Sequence, residues 1–259
     1  FEMSAADRER IVRELRQFLA IDANTDERVT FETTEAPDVH EEILVHADRL
    51  PADLIVMGTH GRSGFERLML GSVTERVLRK ARRPVLTVPA GSPDAGATGH
   101  GAFDRILSAV DFSECSMAAL GYAASLAEES HARLTVLHVI ELAPPAYDPL
   151  VGPPIDLPGY RQACETAGRE RLRNVIPVAL RTSPGITGGV EEIIVCGKPH
   201  HEILRIAEER QCDLIVLGVH GRNVVDRLLF GSTVEPVVRR AHCPVLTVRP
   251  MAPAARAAA

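Results

Sequence analysis

Short apolar runs alternate with amphipathic stretches along this chain, and the second half shows the pattern in full. Apolar runs of strand length lie at 103–112, 132–140, 190–196, 213–217 and 244–248. Stretches with helical spacing lie at 114–130, 160–174, 200–210 and after Gly231. Several apolar runs do not alternate strictly, as expected for strands that are covered on both faces. The pattern predicts a parallel, doubly wound α/β sheet, in which ligands bind where strands lead into helices.

Local signals refine this prediction. Ser113 is a plausible N-cap for the helix over 114–130. Six prolines between positions 143 and 159 predict a loop there. In the helix over 200–210, the residues predicted to face the core are Ile203, Leu204, Ile206 and Ala207.

A 36-residue pattern occurs twice in the chain. Residues 53–88 and 213–248 align without a gap at an offset of 160, with 21 identical positions. This is an internal duplication. The first half has no counterpart of residues 103–160, so we predict only half a sheet there, with three strands that need to pack on the other half. The chain starts at Phe1 rather than Met, which we interpret as the start of a fragment, a processed product or an ordered part.

Composition narrows the classes of function. The formal net charge is −6, which disfavours nucleic-acid or anionic-membrane partners. Apolar residues make up 45% of the chain, which allows a sizeable core. No apolar run approaches the roughly 20 residues that span a bilayer. Five scattered cysteines without a C-x2-C pair predict reduced, mostly buried thiols in a cytoplasmic protein.

Each copy of the repeat carries a G-x2-G-x9-G-S motif. Glycines at a strand end allow a sharp turn or a close approach to a ligand, and Gly-Ser at a helix start offers donors to a phosphate. Alternatively, S-x-x-E at 72–75 and 232–235 is a capping box, and the glycines only make turns. From the residues alone both interpretations stay open. The motif residues are Gly58, Gly61, Gly71 and Ser72, and then Gly218, Gly221, Gly231 and Ser232.

The glycine motifs, the opening ILSAVDFSE, the strand LTVLHVIE and the turn at 197–200 resemble the universal stress protein family in its tandem two-domain form. The resemblance implies five parallel strands per domain, in a Rossmann-like fold of the adenine-nucleotide α-hydrolase type. The resemblance implies a first domain over 1–89, which lacks the N-terminal strands of the family's domain, and a complete second domain over 102–250. Residues 90–101 would form the linker between them. We expect the tail over 251–259 to be disordered. It also implies that strands 84–88 and 244–248 pair, so that the halves form an intramolecular pseudo-dimer, with further homo-dimerisation open.

Carried over by residue, the resemblance implies a nucleotide site in the second half. Asp111 would approach the adenine or ribose, and Val139 would offer backbone contacts to adenine. Glycines 218 and 221 would flank ribose and phosphates. The phosphates would lie against Gly231, Ser232 and Thr233, with Arg222 and Asn223 nearby. In the first half only Gly58, Gly61, Gly71 and Ser72 remain, and Pro37 stands where the second copy has Gly197, so an incomplete site is predicted there.

The predicted function is that of an ATP-binding, cytoplasmic stress sensor or regulator, with ATP as the ligand, with or without Mg²⁺. One alternative is a slow ATPase, or an enzyme that phosphorylates itself at Ser232. Another is an interaction module without a nucleotide. No catalytic residue or metal site is predicted, because His200-His201-Glu202 lacks the partner C-x2-C that a zinc deaminase site needs.

Overall fold

The computed structural model describes residues 4–18, 29–59, 70–90, 103–142, 157–220 and 231–250. The first half contains α1 (Ala5–Phe18), α2 (Val39–Arg49), β1 (Ile55–Gly58), α3 (Ser72–Lys80) and β2 (Val85–Val88). The second half begins with β3 (Arg105–Ala109), α4 (Glu114–Ser130), β4 (Arg133–Ile140), α5 (Leu157–Val175) and α6 (Val178–Arg181). It continues with β5 (Val190–Cys196), α7 (Pro199–Glu209), β6 (Leu214–Gly218), α8 (Val234–Arg240) and β7 (Val245–Val248).

The strands form one seven-stranded sheet in the order β1-β2-β7-β6-β3-β4-β5. Neighbouring strands are parallel within each half, and the single antiparallel pair in this sheet joins β2 to β7. The predicted α/β class is confirmed. The two sheets are continuous across the antiparallel pair, so the predicted pseudo-dimer is built into one sheet.

The seam between β2 and β7 has local two-fold symmetry. Leu86 lies opposite Leu246 at its centre. Thr87 Oγ1 donates to the carbonyl of Val245 at 3.1 Å, and Thr247 Oγ1 donates to the carbonyl of Val85 at 3.2 Å. Both threonines are buried, so these hydroxyls need partners inside the protein. Pairing of 84–88 with 244–248 is therefore confirmed, and it satisfies two otherwise open apolar edges.

Helices cover both faces of the sheet. Helices α2, α3, α7 and α8 pack on one face, and α4 and α5 pack on the other. The first face buries Ile203, Ile206 and Ala207 of α7 as predicted, while Leu204 is partly buried. On the second face, α4 contributes the small residues Ala119, Ala123 and Ala127. Their size lets the helix lie close to the strands.

The prediction of three strands in the first half is wrong. Residues 29–36 form neither helix nor strand. Their counterpart, β5, pairs along its whole length with β4, and the sheet has no other neighbour for it. The chain contains no first-half counterpart of β4, so this segment has no strand to join. Within the described part of the first half, β1 and β2 are the strands that extend the sheet.

The helix starts also correct the sequence interpretation. Ser113 caps α4 as predicted, because its Oγ accepts from the amide of Ser116 at 3.2 Å. In α3 the N-cap is Gly71 rather than Ser72, and in α8 it is Thr233 rather than Ser232. Neither of these caps makes a side-chain hydrogen bond within the described structure. The predicted capping boxes are therefore wrong.

The position of Gly71 explains the first of these helix starts. Its amide donates to the carbonyl of Thr59 at 2.9 Å, and Thr74 Oγ1 donates to the carbonyl of Gly58 at 2.9 Å. These two bonds fix the chain so that Gly71 is the N-cap of α3 and Ser72 is the first residue of the helix.

All five cysteines are free thiols, but only Cys243 is buried, so the prediction of mostly buried thiols is wrong. Burial raises the pKa of Cys243 to about 12 and the pKa of the partly buried Cys212 to about 12. Cys243 is therefore held as a packed, unreactive thiol.

Some predictions fall outside the described residues. They concern most of the linker, the prolines up to position 154, and the tail over 251–259. The last of the six prolines, Pro158, lies in the first turn of α5 rather than in a loop. No helix in the described ranges is long and apolar enough to cross a membrane.

Because β2 and β7 pair within one sheet, we expect the two halves to unfold together. Leu246→Ala removes a side chain that is 4% exposed at the centre of the seam. We expect it to lower the free energy of unfolding by about 2–4 kcal/mol, in a single urea transition followed by circular dichroism. Hydrogen exchange of the amides in β2 should accelerate together with that in β7.

The matched control is Val178→Ala, because Val178 is 73% exposed on α6. It should change the free energy of unfolding by less than about 0.5 kcal/mol. Two separate transitions, with β2 protection unchanged in Leu246→Ala, would contradict a continuous sheet.

Candidate nucleotide site

A cleft of about 520 Å³ lies at the carboxyl ends of β3, β4 and β6. Its volume lies within the range of small-molecule sites. From β3 the chain proceeds outward to β4 and β5, and then returns to β6 on the other side of β3. This reversal makes a topological switch point, the place where doubly wound sheets bind ligands. The predicted residues that line the cleft are Asp111, Val139, Gly218, Gly231, Ser232 and Thr233.

Asp111 is fixed in the loop between β3 and α4. Its Oδ1 accepts from the amide of Ser113 at 3.0 Å and from Ser113 Oγ at 2.6 Å. Its own amide donates to Ser116 Oγ at 3.3 Å. These bonds hold the carboxylate at one wall of the cleft, where its oxygens accept hydrogen bonds.

Phe112 has a left-handed backbone, with φ of 66°. This conformation is uncommon for a bulky side chain, so the surroundings must hold it. The ring lies 4.5 Å from the ring of His138, and the guanidinium of Arg171 lies 4.2 Å above it. His138 Nδ1 donates to the carbonyl of Val110 at 2.7 Å. These contacts of Phe112 with Arg171 and His138 therefore tie α5 and β4 to the turn that follows Asp111.

Gly218 lets the start of α4 approach the end of β6. A Cβ at this position would lie 2.6 Å from the carbonyl carbon of Cys115 and 2.6 Å from the amide nitrogen of Ser116. Ser113 Oγ also donates to the carbonyl of His220 at 3.3 Å. The first glycine of the motif thus has a steric role, which brings the α4 end and the β6 end to the same cleft.

The opposite end of the cleft is polar. The amide of Val234 donates to the carbonyl of Gly231 at 3.0 Å, which folds a turn over 231–234. A Cβ on Gly231 would lie 3.2 Å from the carbonyl oxygen of Val219, so the turn packs closely on the chain that leaves β6. Ser232 is exposed and Thr233 is half-buried, and both line the cleft. Their hydroxyls are suited to donate to an anionic group.

The floor of the cleft consists of residues that the sequence analysis did not single out for the site. Apolar residues of β4, α7 and β6 contribute to the lining of the cleft, together with the polar residues Glu141 and His220. The sequence carries a signal for one of these lining residues, because helical periodicity predicts that Ile203 faces the core. The apolar residues here are Leu137, Ile140, Ile203 and Leu217.

The remaining predicted positions are not brought into this cleft by the described structure. Gly61, Gly221, Arg222 and Asn223 lie outside the described residues. Gly58 ends β1, and Gly71 and Ser72 lie at the start of α3. The chain has no first-half counterparts of β3 and β4, so these three residues lack the two strands that form the other walls of the second-half cleft.

One carboxylate and imidazole cluster in the first half has metal-ligand chemistry: Asp38, His40 and Glu41. Lys80 Nζ lies 3.1 Å from His40 Nε2 and 3.4 Å from Glu41 Oε1. The ammonium group therefore takes the cationic place in this cluster, which disfavours a metal ion there.

Comparison with known proteins gives the family. Residues 2–89 and 102–249 each match the model of the Universal stress protein family. The chain belongs to this family, and the two matched segments agree with its tandem form.

Individual relatives and solved structures agree. Universal stress protein MJ0531 of Methanocaldococcus jannaschii is 31% identical over 153 residues, which are 58% of this chain and 85% of that protein. YxiE of Bacillus subtilis is 34% identical over 57% of this chain and 99% of its own. A universal stress protein structure from Archaeoglobus fulgidus has a TM-score of 0.62 at 26% identity, over 95% of this chain and 79% of that one. A functionally unknown protein from Pseudomonas aeruginosa, 19% identical, shares the fold with a TM-score of 0.67, over 96% of this chain and 80% of that one.

The close approach at Gly218 gives a testable prediction. Gly218→Ala forces a methyl group against the backbone of the first turn of α4. We expect it to lower the free energy of unfolding by about 2–3 kcal/mol, measured by urea denaturation.

Gly121→Ala is the control, since a Cβ at Gly121 in the middle of α4 meets nothing within 4 Å. It should raise the free energy of unfolding by up to about 1 kcal/mol, because alanine is the better helix former. Equal stability of the two variants would show that α4 does not lie against Gly218.

Proposed function

We propose that this chain binds ATP in the cleft of its second half and acts as a nucleotide-dependent stress regulator. One observation carries the proposal. Segments far apart in the sequence, at 111, 139, 218 and 231–233, line a single cleft at the topological switch point of the sheet. These are six of the nine positions that the family resemblance assigns to the nucleotide, and the other three, Gly221, Arg222 and Asn223, lie outside the described residues.

The chemistry of the walls suits an adenine nucleotide. The apolar residues beside Val139 would offer a surface for a planar base, and the fixed carboxylate of Asp111 would accept hydrogen bonds from ribose hydroxyls. The hydroxyls of Ser232 and Thr233 would donate to the phosphates. Mg²⁺ would accompany the phosphates and offset their charge.

A regulatory role follows from where the ligand would lie. The cleft joins β3 and β4 to β6 and the turn before α8, so a bound nucleotide would hold these elements together. Binding to the folded state stabilises it by mass action, and the occupied state becomes one that a partner can distinguish.

The five free thiols suit a reducing compartment, and we place the protein in the cytoplasm.

The internal repeat supplies a matched pair of variants. Ser232→Ala removes a hydroxyl from the cleft, and we expect ATP affinity to fall about tenfold, the equivalent of one charge-assisted hydrogen bond. Ser72→Ala removes the equivalent exposed hydroxyl in the first half, and affinity should stay within about twofold of wild type, because that change costs no contact with the ligand. Isothermal titration calorimetry with Mg-ATP measures both.

A second variant tests the shape of the same wall. Gly231→Leu adds a bulky side chain where a Cβ is already 3.2 Å from the carbonyl oxygen of Val219. It should abolish ATP binding, with circular dichroism as the check on folding. An unchanged affinity in both Ser232→Ala and Gly231→Leu, or equal losses in Ser232→Ala and Ser72→Ala, would contradict a site in the second-half cleft.

A further inference from the structure

The loop that carries Asp111 is held at both of its ends. At one end, the amide of Val110 donates to a carbonyl of β4 at 2.8 Å, and its own carbonyl accepts from an imidazole of β4 at 2.7 Å. At the other end, Ser113 is the N-cap of α4. Asp111 and Phe112 therefore connect a fixed strand end to a fixed helix start.

Phe112 makes this connection in a left-handed backbone conformation, with φ of 66°. A side chain other than glycine raises the free energy of this conformation, because its Cβ comes too close to the neighbouring carbonyl oxygen. Contacts of the ring hold the turn against this cost. The ring centroid lies 4.5 Å from that of His138 and 4.2 Å from the guanidinium carbon of Arg171, within the range of a cation–π interaction.

Helix α5 brings the second of these contacts to the loop. The helix packs on β4, with Leu172 fully buried at 0% exposure. Gly168 is buried as well, and a Cβ there would lie 3.4 Å from Cδ2 of His138, so the helix backbone comes close to the imidazole. One turn further along α5, the guanidinium of Arg171 reaches the ring of Phe112. The left-handed turn is thus held by a helix that contributes no described residue to the lining of the cleft.

We propose that Phe112 is a positioning residue for the nucleotide, a role that rests on the proposed function of the cleft. Its left-handed turn directs the chain toward α4, so that Oδ1 of Asp111 accepts from the amide of Ser113 at 3.0 Å. The direction of this carboxylate decides whether it can accept from ribose hydroxyls. Because Arg171 holds the ring of Phe112, the packing of α5 governs recognition of the ribose from outside the cleft.

Two substitutions of Phe112 separate the ring from the backbone, and hydrogen exchange reads their effect without a ligand. Phe112→Ala removes the ring contacts but keeps a side chain in the left-handed turn, whereas Phe112→Gly makes that turn accessible without the ring. In the wild type we expect slow exchange of the Ser113 amide, because it donates to Asp111. Exchange should accelerate about tenfold in Phe112→Ala and stay within about threefold of wild type in Phe112→Gly.

Discrimination between two ligands gives a readout that a general loss of packing would not move. Wild-type protein should bind ATP about tenfold more tightly than 2′,3′-dideoxy-ATP, since Asp111 has no hydroxyl partner in the second ligand. Phe112→Ala should reduce this ratio to about twofold or less by weakening ATP alone, and Phe112→Gly should restore it. Calorimetry measures both affinities, and circular dichroism checks that each variant folds.

Arg171→Gln tests the contribution of α5. Its matched control is Arg169→Gln, because Arg169 is another exposed arginine of the same helix. Arg171→Gln should move the exchange of the Ser113 amide and the ratio of affinities in the same direction as Phe112→Ala. Arg169→Gln should leave both at their wild-type values.

Equal behaviour of Phe112→Ala and Phe112→Gly would overturn the proposal, as would equal weakening of ATP and dideoxy-ATP in Phe112→Ala. An Arg171→Gln variant that matches Arg169→Gln would overturn the part played by α5. Wild-type protein that binds neither nucleotide would refute the proposed function of the cleft, while the exchange of the Ser113 amide would still decide whether Phe112 positions Asp111.

Discussion

The approach of α4 to Gly218 is the contact on which the second half of this protein depends. The first turn of the helix lies so close to β6 that no side chain fits at this position, where a Cβ would be 2.6 Å from two backbone atoms. The same turn carries Ser113, which caps the helix and holds the carboxylate of Asp111. One steric constraint thus sets the position of the helix, the orientation of the acidic side chain and the width of the cleft between them.

The seam between β2 and β7 is the second constraint, and it explains how a two-stranded half is held. Two strands with one apolar face are marginal by themselves. Here they extend a five-stranded sheet, with buried threonine hydroxyls bonded across the local two-fold axis. The repeat is therefore symmetric at the seam and asymmetric away from it. The strand sequence DLIV lies at the centre of the sheet in one copy and at its edge in the other.

Much of the fold could be predicted from the sequence, since it depends on patterns local to each element. The alternation of apolar runs with helical stretches predicts the fold class, whereas the pairing of strands 84–88 and 244–248 was predicted from the resemblance to the family. The absence of a strand over residues 29–36 could not be predicted from the local sequence. These residues match β5, which pairs with β4, and the described first half offers no such neighbour. The capping box at 72–75 was wrong because a contact from outside the local sequence decides where the helix begins. The bond from the amide of Gly71 to Thr59 is a tertiary contact, and it decides where α3 begins.

The candidate site divides in the same way. Asp111 follows a strand and Gly231 precedes a helix, and the resemblance to the family assigned both to the site. His138 and Glu141 belong to no motif, and their presence depends on how β4 ends. The left-handed backbone of Phe112 is held by contacts of its ring with Arg171 and His138, which lie 59 and 26 positions away along the sequence. Contacts between residues so far apart in the sequence cannot be predicted from local propensity.

The central claim is that the second half alone carries a complete nucleotide site. The most direct measurement is the binding stoichiometry of Mg-ATP on nucleotide-free protein, obtained by equilibrium dialysis with radiolabelled ATP. The account predicts saturation at one ATP per chain. No binding at millimolar ATP would contradict the assignment of the cleft, and saturation at two ATP per chain would contradict a site confined to the second half.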